Sequence, residues 1–320
     1  MSRLRNLGGK LLGAVGVMLG AATLAFAAVS LTGGDTALAI LGGEDAQPTP
    51  EAIARVRIDY GLDQPLAVRY AMYMGRVLRG DLGMSYRLNA PVGALIRQQL
   101  GYTVTLSLSA AAIALLLAVP LATATAGRRR SPLRAVASGA ELVAASMPTF
   151  VLGLLLLLLF SFRLHWFPAS GSDGWRALAL PALTLALPLT PWLAQVLRQE
   201  LDEILEQPFI AMARARGMSE AGVRLRHALR HALTSLVTLS GFILGTLLAG
   251  TAVVETLFAR RGIGRLMVDA TAGKDIPLVL GITLLSALLY AVVHILVDAS
   301  YVLIDPRLRH PSPLKTEIES

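Results

Sequence analysis

The chain has no cysteine among its 320 residues. Disulfides, thiolate metal sites and cysteine nucleophiles are therefore excluded. Charge is scarce as well: 16% of residues are Asp, Glu, Lys or Arg, where a soluble domain carries about 25%. Nucleotide-binding signatures are missing. "LGGKLLG" and "TAGKD" lack the spacing and the hydroxyl of a phosphate-binding loop, so ATP has no such site here. Neither His-Glu-x-x-His nor Gly-x-Ser-x-Gly occurs, which removes the common zinc-protease and serine-hydrolase readings.

What is present is apolar. Hydrophobic residues make up 54% of the chain and the mean hydropathy is +0.61. This is the composition of an all-α, polytopic membrane protein. Six runs are long enough to cross a hydrocarbon core, which needs about 20 helical residues: 10–31, 103–126, 136–162, 177–197, 233–257 and 278–304. Helices are expected because each satisfies its own backbone hydrogen bonds in lipid. Pro120, Pro148, Pro181, Pro188 and Pro191 predict kinks, with the fourth run the most irregular. The first run also has features of a signal peptide, with Arg3, Arg5 and Lys10 before it and Ala25-Phe26-Ala27 like a cleavage site. Its length and the five later runs favour an uncleaved anchor.

A net charge of +8 raises nucleic acid as a partner. The basic residues cluster at the ends of apolar runs, however, which marks membrane topology and no nucleic-acid partner. The positive-inside rule puts both termini in the cytoplasm, with Arg128-Arg129-Arg130 and Arg134 as the clearest local signal. The division is then 1–31 for the N-terminal tip and first span, 32–102 outside, 103–304 for the core with a cytoplasmic loop at 198–232, and a tail at 305–320. In the outer segment, "PEAIARVRIDYGL" and "PLAVRYAMYMGRVLRGDLG" each read as a short helix, the second with Val68, Met72 and Leu78 among its apolar positions. The segment is too small for a separate domain and is expected to cap the outer mouth of the bundle or to touch a partner.

The loop 198–232 carries the most unusual pattern. Pro208 opens a helix and Gly217 closes it. Ser219 then caps a second helix with its hydroxyl. Leu225, Leu229 and Ala232 are expected on one stripe, Arg226 and Arg230 on a second, His227 and His231 on a third. Small Ala211, Ala213 and Ala215 allow close approach of the first helix. By pattern alone this is either an amphipathic helix on membrane lipid or a docking element for a cytoplasmic partner. Ionisable residues within the runs are Glu141, Glu255, His294 and Asp298. Glu141 and Glu255 fall near run ends, where snorkelling or helix-end contacts suffice. His294 and Asp298 share a helix face, which leaves open a structural pair or an intramembrane metal or proton site.

Taken in order, "GLDQPLAVRY" (61–70), "RGDLG" (79–83), "PASG" (168–171), "LPALTLALP" (180–188), "ARARGMSE" (213–220), "RHALRHAL" (226–233), "AVVETLF" (252–258), "GIGRL" (262–266) and "DPRLR" (305–309) resemble the permease subunits of the peptide/nickel class of ABC importers. The resemblance covers nearly the whole chain. It implies the type I ABC importer permease fold in the inner membrane, and a translocation pathway rather than an enzyme. Its implied partners are separate cytoplasmic ATPase subunits, a second permease and an extracytoplasmic substrate-binding protein. No cofactor is implied. By position, Phe209, Ala213, Arg214, Arg216, Gly217, Ser219, Arg226, His227 and Arg230 become ATPase-coupling residues.

There are departures. Ala211-Met212-Ala213 stands where the wider motif begins Glu-Ala-Ala, "LTGGDT" lacks the prolines usual after the first span, and "LGYT" (100–103) replaces Leu-Pro-Ala-Thr. The implied cargo is a peptide-like solute, with nickel or a metal chelate as the alternative, since "HWFPASGSDGW" (165–175) fits both. A stand-alone secondary transporter or channel, and an intramembrane enzyme using His294 and Asp298, are the remaining readings of a different kind.

Overall fold

The computed structural model describes residues 2–31, 35–41, 46–128 and 130–304, without the side chains of some residues within its helices. Its elements are helices in this order: α1 (Ser2–Leu31), α2 (Thr36–Ile40), α3 (Pro50–Asp59), α4 (Leu66–Val77), α5 (Val92–Thr125), α6 (Pro132–Ser146) and α7 (Thr149–Leu156), followed by a π-helical segment (Leu157–Arg163). Then come α8 (Gly174–Leu205), α9 (Pro208–Ala215), α10 (Glu220–Gly222), a second π segment (Val223–Ala228), α11 (Leu229–Gly250), α12 (Ala252–Leu257), α13 (Ile263–Ala272) and α14 (Ile276–Ile304). The one extended pairing among the described residues is an isolated antiparallel bridge, Met84 with Pro91.

Among the described residues, α5, α8 and the Ile276–Val293 part of α14 are long and apolar enough to cross a membrane. The run 136–162 differs from expectation. Its two halves, α6 and α7 with its π extension, are bent by 102°. Met147 is extended (ψ 127°), as a residue before proline prefers to be, and Pro148 starts a new direction. The most irregular run is thus the third rather than the fourth. Pro181, Pro188 and Pro191 all lie inside one continuous α8, whose buried residues include Leu180, Leu185, Leu193 and Leu197. The fifth run also ends early, since α11 stops at Gly250 and a separate α12 follows.

The contacts divide the chain into two units. The first comprises 1–108, 150–182 and 247–291. One of its cores joins Ala22 and Phe26 of α1, Tyr73 of α4, and Ile276, Leu280 and Leu284 of α14. Phe26 packs edge-on to Tyr70 and stacks on Tyr73, with centroids 5.4 and 6.1 Å away. Ala25-Phe26-Ala27 therefore lies within α1, with Phe26 in a core. The buried residue of α4 is Tyr73, while the apolar Val68 and Met72, and Leu78 just past its end, are exposed. The second unit comprises 109–149, 183–246 and 292–320.

In the first unit, one knot explains three of the sequence motifs. Glu255, fully buried, accepts from Thr103 Oγ1 at 2.7 Å and from the Arg265 backbone N–H at 2.9 Å. Thr103 in turn accepts from Ile263 N–H at 2.8 Å. Together they satisfy first-turn donors of α13 that the helix itself leaves unpaired. Gly262 leaves room for the carboxylate, because a Cβ there would meet it at 2.2 Å. Gly264 lets α13 approach α12, because its Cβ would lie 2.5 Å from the Ala252 Cα. Of the two expectations for Glu255, snorkelling or a helix-end contact, the structure shows the second, with the buried carboxylate holding the start of α13. The "LGYT" departure keeps the threonine that makes this contact.

Gly264→Ala is expected to lower stability by at least about 1–3 kcal/mol through overpacking against backbone. Thermal unfolding of the purified protein measures it, and an unchanged midpoint contradicts the close approach.

Candidate functional site: the helix-turn-helix loop after α8

Gln207 is extended (ψ 147°) ahead of Pro208, which opens α9. Ile210 and Ala213 face inward. They join a core with Ala122 and Ala126 at the end of α5 and with Leu197, Leu201 and Leu205 of α8. Ala211 and Ala215 are exposed, so one of the three small residues, Ala213, makes the close approach. Gly217 follows at φ +81°, a left-handed position with open space around it. Glycine is needed there for the backbone angle, not for room. Ser219 then caps the next helix, accepting from Gly222 N–H at 3.2 Å.

The second helix does not follow the expected stripe. The π segment adds a residue to the turn, so the buried positions are Val223, Ala228 and Ala232, while Leu225 is 59% exposed. Arg226, Arg230 and His231 face outward, and His227 is half-buried. The Phe209 ring rests on His231 at a centroid distance of 5.0 Å. Phe209 and Met212, 41% and 58% exposed, share one face of α9. The loop thus has a packed inner side, with Phe209 and Met212 exposed on α9 and Leu225 exposed on the next helix, among arginines.

Arg214 is paired within the loop. Its Nε donates to Glu220 Oε1 at 2.8 Å and its Nη2 to Oε2 at 3.3 Å, closing the turn around Gly217. Arg216 lies over Met212 Sδ at 3.7 Å. With no glutamate at the Glu-Ala-Ala position, the loop takes its carboxylate from after the glycine instead. The Arg214 hydrogen bond is the largest cause holding the Glu220 carboxyl below its usual value of 4.5.

Two further ties reach α8 just above the loop. Asp202 accepts from Gly127 N–H at 2.6 Å and from Arg134 Nη1 at 2.8 Å, fastening α8 to the turn between α5 and α6. Arg198 donates to Glu141 Oε1 and, at 3.2 Å, to Ser138 Oγ of α6. Glu141 is 3% exposed and Arg198 4%, so Glu141 is paired inside the protein rather than snorkelling. Sequence reasoning flagged Glu141 but missed Arg198 and Asp202. Their spacing of four on α8 was the available signal. The side chains of His294 and Asp298 lie outside the described residues, as does "DPRLR" (305–309).

The family described as "Binding-protein-dependent transport system inner membrane component" matches residues 118–310, which include this loop and both ties. The chain belongs to that family. A candidate peptide transport system permease protein of Brucella abortus (strain 2308) is 37% identical over 305 residues, 93% of this chain and 96% of the relative. The glutathione transport system permease protein GsiC of Salmonella choleraesuis (strain SC-B67) is 37% identical over 303 residues, 94% of this chain and 97% of the relative. A solved chain of the inward-facing MetNI methionine ABC transporter has a TM-score of 0.54 at 18% identity, covering 66% of this chain and 96% of that one. It shows a shared fold. This permease is therefore a membrane component of a binding-protein-dependent importer, as its motifs implied, with the helical fold of an ABC importer permease.

Two measurements check the loop. Arg198→Met strands the buried Glu141 carboxylate and is expected to cost about 3–5 kcal/mol, while adding Glu141→Leu recovers most of it. Thermal denaturation of the three proteins reads this, and a mild single variant refutes the pair. The second concerns pH. A carboxyl held below its ordinary value contributes above that value and loses the contribution as pH falls through the lowered one. Hydrogen-exchange protection across 214–220 should stay level from neutral pH down to about 4.5 and fall below it.

Proposed function

We infer that loop 208–232 is the docking element for a separate ATPase subunit, and that the permease carries peptide-like solutes inward. One observation supports the docking role above the rest: Phe209 and Met212 form an exposed apolar face of α9 whose opposite face is packed into the ends of α5 and α8, and Leu225 is exposed on the following helix. An exposed apolar cluster ringed by charge is what a partner cleft covers. Ala213 keeps α9 close to the bundle, Arg214 and Ser219 hold the turn, and Gly217 supplies its angle. Arg216, Arg226, His227 and Arg230 then surround the contact. In this reading both termini and the tail 305–320 are cytoplasmic, and 32–102 covers the outer mouth.

The chain contributes a path rather than a reaction. Closure of the ATPase pair on ATP displaces the loop. Ile210 and Ala213 pass that displacement to Leu201 and Leu205, and so to α8 and α5. The bundle, completed by a second permease, alternates between outward and inward openings, each a packed arrangement rather than a graded bend. A binding protein delivers the solute. The peptide-like cargo rests on the relatives described for peptide and glutathione transport.

Phe209→Ser with Met212→Ser is expected to lower ATPase co-purification and ATP-dependent uptake about ten-fold or more, as loss of interface anchors does. Membrane insertion and thermal stability should be unchanged. Gly217→Pro is expected to abolish uptake with insertion retained. An ATPase that co-purifies equally with the double serine variant refutes the docking reading and returns the loop to the lipid surface.

A further inference from the structure

The outer segment contains a cavity that the loop reading does not use. It measures about 50 Å³ and lies between α3, α4 and the start of α14. Its walls carry five polar side chains: Arg69, Arg76, Tyr60, Tyr73 and Tyr86. Phe26, Met72, Leu82, Ile276, Pro277 and Leu280 make the apolar remainder. No carboxylate lines it.

Among the described residues neither Arg69 nor Arg76 has a carboxylate within ion-pair distance. Asp275 acts on Tyr86 electrostatically, but its oxygens are committed to Ser85 Oγ and to the backbone N–H groups of Tyr86, Arg87 and Leu278. Tyr73 is 5% exposed, and its buried hydroxyl has no hydrogen-bond partner. Burial pushes that hydroxyl up to about 12, so it remains a proton donor at neutral pH. A buried donor left unpaired costs about 1–3 kcal/mol. Here it stands beside two guanidinium groups that also only donate.

We propose that this cavity is a binding site for the carboxylate of a small organic acid, held by Arg69 and Arg76 and by the Tyr73 hydroxyl. Arginine pairs with carboxylate oxygens by charge-assisted hydrogen bonds. The size agrees: at roughly 10–15 Å³ for each water-sized group the space takes about four, a carboxylate and its first carbon. Met72, Leu82 and Leu280 flank the attached chain. A cation is refused by the two positive charges. The site is independent of the ATPase contact and of the cargo assigned above.

The test uses the full chain in lipid nanodiscs with trifluoroacetate as probe, observed by fluorine NMR. Line broadening that acetate reverses and trifluoroethanol does not is the expected result. Arg69→Met with Arg76→Met should weaken binding more than about ten-fold. Tyr73→Phe should weaken it about five-fold without lowering the thermal midpoint, since it deletes an unpaired polar group. Arg69→Lys with Arg76→Lys, which keeps the charge, should retain part of the binding and controls for folding. Absent broadening, or equal binding by the double methionine variant, overturns the proposal. So does binding that appears only after phospholipid is stripped away, with that lipid already lost from the methionine variant; the site then belongs to a headgroup phosphate.

Discussion

A carboxylate removed from water has to be met by donors, and four buried carboxylates act as the fasteners of this chain. Glu255 binds the start of α13 and Thr103. Asp275 gathers the backbone of residues 86 and 87 and the first turn of α14. Asp202 holds the turn after α5. Glu141 is paired with Arg198. Three of the four bind backbone N–H groups at turns or helix starts, where donors stand free. In a chain with so few charges, apolar packing alone does not select one helix arrangement, since lipid is as apolar as the side chains. Buried polar contacts are directional, and they set which helix end meets which.

The same constraint organises the loop. Asp202 and Arg198 sit on the last turns of α8, so the helix that leads into α9 is held both by polar ties and by the packing of Leu197, Leu201 and Leu205 on the neighbouring stripe. The loop beyond has its own closure, Arg214 with Glu220 around a left-handed glycine. That pair is exposed, so it shapes the turn and adds little stability.

Motif glycines gain separate meanings from their surroundings. Gly217 has empty space beside it and is required for its backbone angle, whereas Gly262 and Gly264 are required for room. In sequence all three are equal. The π segment after Gly222 has a similar lesson: with one residue added to a turn, Leu225 is exposed while Ala232, expected on the same stripe, is buried.

Composition and the collinear motifs determined the helical class, the places of the main helices, the glycine turn and the family. Those features follow from local rules: hydropathy over about 20 residues, proline and glycine angles, and capping hydroxyls. The tertiary structure alone decided that the third run breaks at Pro148 while three prolines are carried within α8. It also decided which partner each buried acid takes. Thr103 and Glu255 are 152 positions apart and Glu141 and Arg198 are 57 apart. No periodicity joins residues so distant. Only packing brings them together, and the cost of an unpaired charge in an apolar interior then keeps them there.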